Sequence, residues 1–323
     1  MQIFQPLFMN IKALLVTCLL AGLAANQASA TPYTFTPIIV PGAISTQAIG
    51  INNSGQVVGS YEDVAGYYHG FLYSQRAYTS IDVPDATYTM PVGINDNQQI
   101  VGSYLDQQSS IWHGFLENQG AYTSIIVPNA VYNYAKGINN SGQVVGLYMD
   151  NSSPPVHGYI KNGGTFTSLP PPGPFGAGAT GINDAGQVVG DYQGVTGHYG
   201  YVYSNGVYTT IDVPGSSQTG AFDINNHGQV AGYYQDASDS HFYGFVFSAG
   251  AFSSVSMPGA LDTLVFGIND IGQLVGYTGM PGDINFGFVA SPLPSPPIPE
   301  PATIWLTISA LVGLGISVKR GKL

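Results

Sequence analysis

Between residues 31 and 290 the apolar positions come in short runs, never in long stripes. Val-Val, Phe-Leu-Tyr and Tyr-Thr-Ser-Ile are typical, and Gly, Asn and Pro bound each run. Runs of this length, rich in β-branched and aromatic residues, predict strands. No apolar stripe of helical period appears in this stretch. The runs also repeat. GINNSGQVVG stands at Gly50 and again at Gly137, with GINDNQQIVG at Gly93, GINDAGQVVG at Gly181, DINNHGQVAG at Asp223 and GINDIGQLVG at Gly267. The spacings are therefore 43, 44, 44, 42 and 44 residues.

Each unit carries the same later landmarks. An aromatic-Gly-aromatic strand follows the motif, as in HGFLY at His69, HGFLE at His113, HGYIK at His157 and YGYVY at Tyr199. A second aromatic strand ends in proline, as in AYTSIDVP at Ala77 and VYTTIDVP at Val207. One unit thus reads as four short strands, the spacing of a propeller blade. The sixth unit lacks its fourth strand, while YTFTPIIVPGA at Tyr33 supplies a matching strand ahead of the first. A closed ring has a use for that offset and an open array does not. The prediction is an all-β, six-bladed β-propeller over 31–290, closed by the N-terminal strand, with the first strand of each unit innermost. A β-solenoid is the alternative.

The two ends read differently. Lys12, an apolar run and Ala28-Ser29-Ala30 form a secretory signal peptide over 1–30, with cleavage expected between Ala30 and Thr31. Cys18, the one cysteine, lies inside that run, so the mature chain is expected to have neither disulfides nor a thiol nucleophile. Residues 291–301 form a proline-rich linker, and 302–323 are expected to be a C-terminal transmembrane helix with a basic tail, its uncharged run at the short end of what spans a bilayer. Pro299-Glu300-Pro301, apolar segment and basic tail in that order resemble the PEP-CTERM sorting signal of Gram-negative bacteria. The resemblance implies an exosortase-type processing enzyme as a partner and a transient membrane anchor during export.

The repeats resemble the HAF family of extracellular repeat proteins, in the Gly-Ile-Asn…Gly-Gln…Gly segment and the His-x-aromatic strand after it. Here Gly70, Gly114 and Gly158 take the place of that family's alanine. The likeness implies an extracellular address.

Charge narrows the function classes. Between 31 and 300 the cations are Arg76, Lys136 and Lys161, against 18 acidic residues. Such a surface repels phosphate backbones, so nucleic acid is not an expected partner. The repeated Asn-Asn-Ser-Gly invites a calcium reading, because Asn95-Asp96, Asn183-Asp184 and Asn269-Asp270 put oxygens in the loop. One carboxylate per loop is too few for a dedicated site, and a hairpin turn explains the residues. Gly55 is expected to take positive φ; where the second unit reads Asn97-Gln98, asparagine's tolerance of left-handed geometry is the expected substitute. His69, His113 and His157 occupy one register on successive units, too far from the axis to converge on zinc, and are expected to bond nearby turns.

No metal, cofactor or catalytic residue is singled out, so the chain is expected not to be an enzyme. Its expected role is an exported cell-surface or matrix protein, structural or adhesive. The alternative is a lectin-like propeller that binds exopolysaccharide through tyrosines, with Tyr67, Tyr68, Tyr132, Tyr134, Tyr233 and Tyr234 as the candidate contacts in inter-strand or inter-blade segments. A glycan hydrolase or lyase in the central mouth is a third, weaker reading. Any specific site is expected where the copies differ.

Overall fold

A computed structural model describes residues 33–281 and 284–293. The signal peptide, the Ala30–Thr31 cleavage point and the Pro299-Glu300-Pro301 signal with its apolar segment lie outside these residues. Among the described residues there is no helix. Twenty-four strands form six four-stranded antiparallel units, with two of them joined into one sheet through a single bridge between His198 and Gln218. The fold is a β-propeller. The first blade runs Ser45–Ile51, Val57–Glu62, Tyr68–Ser74 and Ala77–Ile81. The innermost strands of the other five are Ala86–Ile94, Tyr132–Ile138, Ala177–Ile182, Ser216–Ile224 and Asp262–Ile268.

The N-terminal strand closes the ring. Tyr33–Ile38 pairs antiparallel with Ile284–Pro292, from Tyr33 opposite Pro292 to Ile38 opposite Gly287, and becomes the fourth strand of the last blade. That blade would otherwise present an open edge, the usual starting point of sheet-to-sheet aggregation.

The core lies between blades. Ala231 and Val246 of the fifth blade pack with Val265, Leu274 and Phe288 of the sixth, and Ile38 and Val275 of the sixth pack with Val57 and Phe71 of the first. At the heart of each blade stands the aromatic of the His-Gly-aromatic strand: Phe71, Phe115, Tyr159, Tyr201, Phe245 and Phe288, all at most 1% exposed. Where tyrosine replaces phenylalanine the buried hydroxyl has a partner, since Tyr159 donates to Tyr134 O at 3.2 Å and Tyr201 to Gly178 O at 2.9 Å. Buried threonines are satisfied in the same way: Thr46, Thr89, Thr219 and Thr263 accept from the backbone N–H six residues earlier at 3.0–3.1 Å.

The repeated motif makes the inner hairpin. Asn52 Oδ1 accepts from Ser54 N and Gln56 N, and Gly55 holds φ +74°. In the second unit the left-handed residue is Gln98, at φ +61°, and not an asparagine as the sequence suggested. The turn geometry fixes which position needs positive φ, and Gln98 occupies it. Gly59 permits close approach, because a Cβ there would stand 1.9 Å from Gln47 O.

The six hairpins then join around the axis. Asn52 Nδ2 donates to Asn95 O, and the same bond runs from Asn95 to Asn139, Asn183, Asn225 and Asn269. Asn269 Nδ2 donates back to Asn52 O at 3.1 Å, so the ring is complete. Outside it lies a second ring in which Asn53, Asp96, Asn140, Asp184, Asn226 and Asp270 alternate. Asp96 Oδ2, for example, accepts from the side chains of both Asn53 and Asn140 at 2.8 and 3.0 Å. Every residue read as a calcium-loop oxygen is thus engaged in joining neighbouring blades.

Candidate functional site

All six inner strands carry a β-bulge at one position, just before the Gly-Ile-Asn segment or, in the fifth blade, Asp223-Ile224-Asn225. The extra residue is left out of the ladder and turned towards the axis. These residues are Ile49, Val92, Lys136, Thr180, Phe222 and Phe266, and all six line an axial channel of about 180 Å³. The glycine that follows lets neighbouring inner strands nearly touch: a Cβ at Gly50 would stand 2.5 Å from Val92 O. The fifth blade breaks this rule with Asp223. Its Oδ2 accepts from Ile268 N of the next blade at 3.0 Å, and Oδ1 from Ile224 N at 2.9 Å. Burial raises its carboxyl to about 7 against these hydrogen bonds.

At the end of the channel opposite the asparagine rings the copies diverge. Tyr68, Tyr88, Trp112 and Tyr134 form a ladder across the first three blades, with successive ring centroids 6.0, 6.4 and 5.8 Å apart. All four rings are half-buried and so keep part of their surface open to solvent. A second cluster joins the fifth and sixth blades: Phe222 stacks on Tyr233 at 4.7 Å, Phe266 on Tyr277 at 5.6 Å, and Phe222 meets Phe266 edge-on across the blades at 5.1 Å.

Between the two aromatic groups the fourth blade has no large side chain at the axis. Gly178 and Thr180 stand where the third blade has Tyr134 and Lys136. Beside them a cavity of about 360 Å³ is lined by Asp191, His198, Gln218, Gly220, Phe222 and Tyr233. His198 Nε2 lies 2.8 Å from Asp191 Oδ2, and the hydrogen bond to that carboxylate raises the imidazole above its ordinary pKa. Asp191 occupies the register held by Ser60, Ser103, Leu147, Tyr233 and Tyr277 in the other blades. One wall of the cavity is therefore aromatic and the other carries a carboxylate, an amide and an imidazole.

The sequence candidates scatter. Tyr67 is exposed in a turn, while Tyr68, Tyr132, Tyr134, Tyr233 and Tyr234 lie within strands. The expectation that these pairs sit in connecting segments holds for Tyr67 and is corrected for the other five, and because successive strand residues face opposite sides, Tyr233 and Tyr234 part. Tyr233 faces the cavity, whereas Tyr234 packs on the Val189–Ile211–Phe245 core and shares a 3.3 Å hydrogen bond with Ser254. Tyr68 and Tyr134 belong to the aromatic ladder, and Tyr132 is 37% exposed at the start of its strand.

The histidines are also unequal. His69 lies against Asp63 and Asp82, and His157 against Asp150. Asp63 and Asp150 belong to the preceding turn, as expected. His113 departs from this, with a buried Nδ1 that has no partner. Trp112, Lys136, Asp191, His198 and Gln218 were missed as site residues. The one usable signal was that each breaks the repeat at its own position.

No family model matches the chain, and no curated protein matches it. Solved structures do. TolB from Acinetobacter baumannii is 12% identical with a TM-score of 0.53, over 78% of this chain and 65% of that one. The sialidase of Trypanosoma rangeli, in complex with a 2,3-difluoro-KDN, is 9% identical with a TM-score of 0.51, over 82% of this chain and 59% of that one. The fucose-specific lectin from Aleuria aurantia is 11% identical with a TM-score of 0.43, over 80% of this chain and 99% of that one. The chain thus spans about two thirds or less of TolB and the sialidase. At these identities the likeness extends to the fold alone.

Proposed function

We propose that this chain is a lectin-like propeller that binds exopolysaccharide at the mouth of its axial channel. The observation that carries the reading is the place where the blades stop being equivalent. There an aromatic platform faces the polar groups Asp191, His198 and Gln218 across a cavity large enough for a sugar ring. Aromatic faces stack on the apolar face of a sugar, and a carboxylate with an amide accepts and donates to its hydroxyls. The Tyr68–Tyr88–Trp112–Tyr134 ladder extends the platform round the mouth, as a polymer with several rings would need. The exported matrix role read from the termini is consistent with this activity, and in our reading processing by an exosortase-type enzyme delivers the propeller outside the cell.

We favour binding over hydrolysis. Glycoside hydrolysis generally uses two carboxylates flanking the scissile bond, and the cavity lining supplies one, Asp191, already bonded to His198. The test is a polysaccharide panel with the purified propeller. Binding that is lost in D191N and W112A supports the reading. No binding to any polysaccharide at high micromolar protein overturns it, and turnover of a polysaccharide abolished by D191N overturns the non-enzymatic part.

A further inference from the structure

Of the three cations in the body, one is placed unlike the others. Arg76 is exposed in a hairpin turn, and Lys161 donates to Gly163 O at 2.6 Å beside another. Lys136 is the bulged residue of the third blade, so the backbone itself turns it into the axial channel. Its neighbours in that wall are mainly apolar: Ile49, Met90, Val92, Phe222 and Phe266. Its amino group lies 5.5 Å from the centre of the Tyr134 ring. Among the described residues the ion pairs within 4.0 Å are all between histidine and aspartate, and none involves Lys136. Asp223 lines the same channel but is committed to two backbone N–H groups.

An ammonium held in an apolar wall without a carboxylate is unfavourable, because the solvation it loses is not replaced. Burial accordingly pulls the Lys136 amine below the ordinary lysine value, against the weaker attraction of the Asp191 carboxylate, which forms no ion pair with it. An anion that entered from the mouth would remove the penalty. The channel volume of about 180 Å³ is half that of the 360 Å³ cavity at the mouth. That admits a carboxyl group and its nearest carbons but not a run of sugar rings. The rings themselves would rest on Trp112 and Tyr134, at the rim beside Lys136.

We infer that the sugar recognised at the mouth is an acidic one, whose carboxylate enters the channel and pairs with Lys136 while its ring stacks on the Tyr134–Trp112 edge. The inference rests on the carbohydrate-binding reading and adds the class of sugar. The body's excess of carboxylates opposes dense polyanions at long range, so the recognised unit is a terminal or sparsely spaced acidic residue.

The experiment compares neutral oligosaccharides that end in a single galacturonate or a single mannuronate, each as free acid and as methyl ester, by isothermal titration against the wild-type propeller, K136Q and W112A. The free acid of at least one series is expected to bind at least tenfold tighter than its ester. K136Q should erase that ratio and melt no lower than wild type, whereas W112A should weaken acid and ester alike and keep the ratio. Equal binding of acid and ester, with K136Q indistinguishable from wild type, overturns the acidic-sugar inference and leaves the carbohydrate reading standing. If neither form binds while the polysaccharide panel is positive, the inference alone fails. If the panel is also negative, both fail.

Discussion

The side-chain Nδ2 of Asn269 donates to the carbonyl oxygen of Asn52 at 3.1 Å, across 217 residues of chain. This bond is the last of a ring of six, and both residues are buried, at 3% exposure. It joins the last blade to the first at the axis, while Tyr33–Ile38 joins them at the rim. Each of these asparagines also accepts from its own turn, so losing one leaves several buried polar groups unpaired. N269A is expected to destabilise the fold by about 2–3 kcal/mol, since each orphaned buried group costs roughly 1–3 kcal/mol. Urea denaturation of wild type and variant measures it, and a change below about 0.5 kcal/mol would remove the ring from the stabilising interactions.

The rim closure makes a separate prediction. Ile38 is 1% exposed and packs with Phe71 and Val275 between the first and last blades. I38A is expected to destabilise by about 2–4 kcal/mol, the usual range for a buried isoleucine cut to alanine. Deleting residues 33–38 should do more, because it bares the edge of Ile284–Pro292. Size-exclusion chromatography should show oligomers for the deletion and a monomer-sized peak for I38A.

Binding at the mouth should depend on individual rings. Trp112 sits between Tyr88 and Tyr134 in the ladder. W112A is expected to weaken polysaccharide binding about tenfold or more, a loss typical of a central aromatic anchor. Y234F, which alters a tyrosine packed on the core, should leave binding unchanged. Affinity electrophoresis in gels containing the polysaccharide reads both.

Asp223 predicts a pH dependence of stability. Its folded-state value, about 7, lies above the ordinary 3.8 because burial disfavours the carboxylate. Between those values the folded protein holds a proton that the unfolded chain has released, so this group's contribution is full below pH 3.8 and is lost as pH rises through about 7. D223N should flatten the stability profile across that window. His198 acts in the same direction but higher. Its pKa is raised from 6.5 by the bond to Asp191, so its contribution is present below 6.5 and fades as pH climbs through the raised value. Urea midpoints across pH 4 to 9 for wild type, D223N and H198Q separate the two windows.

Much of the fold was legible along the chain. The spacing of the six motifs, the short β-branched and aromatic runs and the displaced strand at Tyr33 specified four-stranded units and their closure, because strand periodicity and turn chemistry are local properties. Gly55 and Asn52 were read correctly as turn residues for the same reason. What the second Asn or Asp of each turn does was not legible. Asn53 and Asp96 are 43 residues apart, and only the closed ring makes them partners.

The site was decided almost wholly by tertiary structure. Lys136, Thr180 and Phe222 look like ordinary strand residues until a bulge turns each of them to the axis. Asp191 and His198 become a pair only because adjacent strands place them on a diagonal, Asp191 opposite Gly200 and His198 opposite Gln193, near the bridge from His198 to Gln218. The sequence by itself determined the repeat, its hairpins and its closing strand, since these depend on residues near in the chain or on copies of one pattern. Which unlike residues meet at the mouth depended on the ring, because closing it brings single positions from different blades within reach of one another.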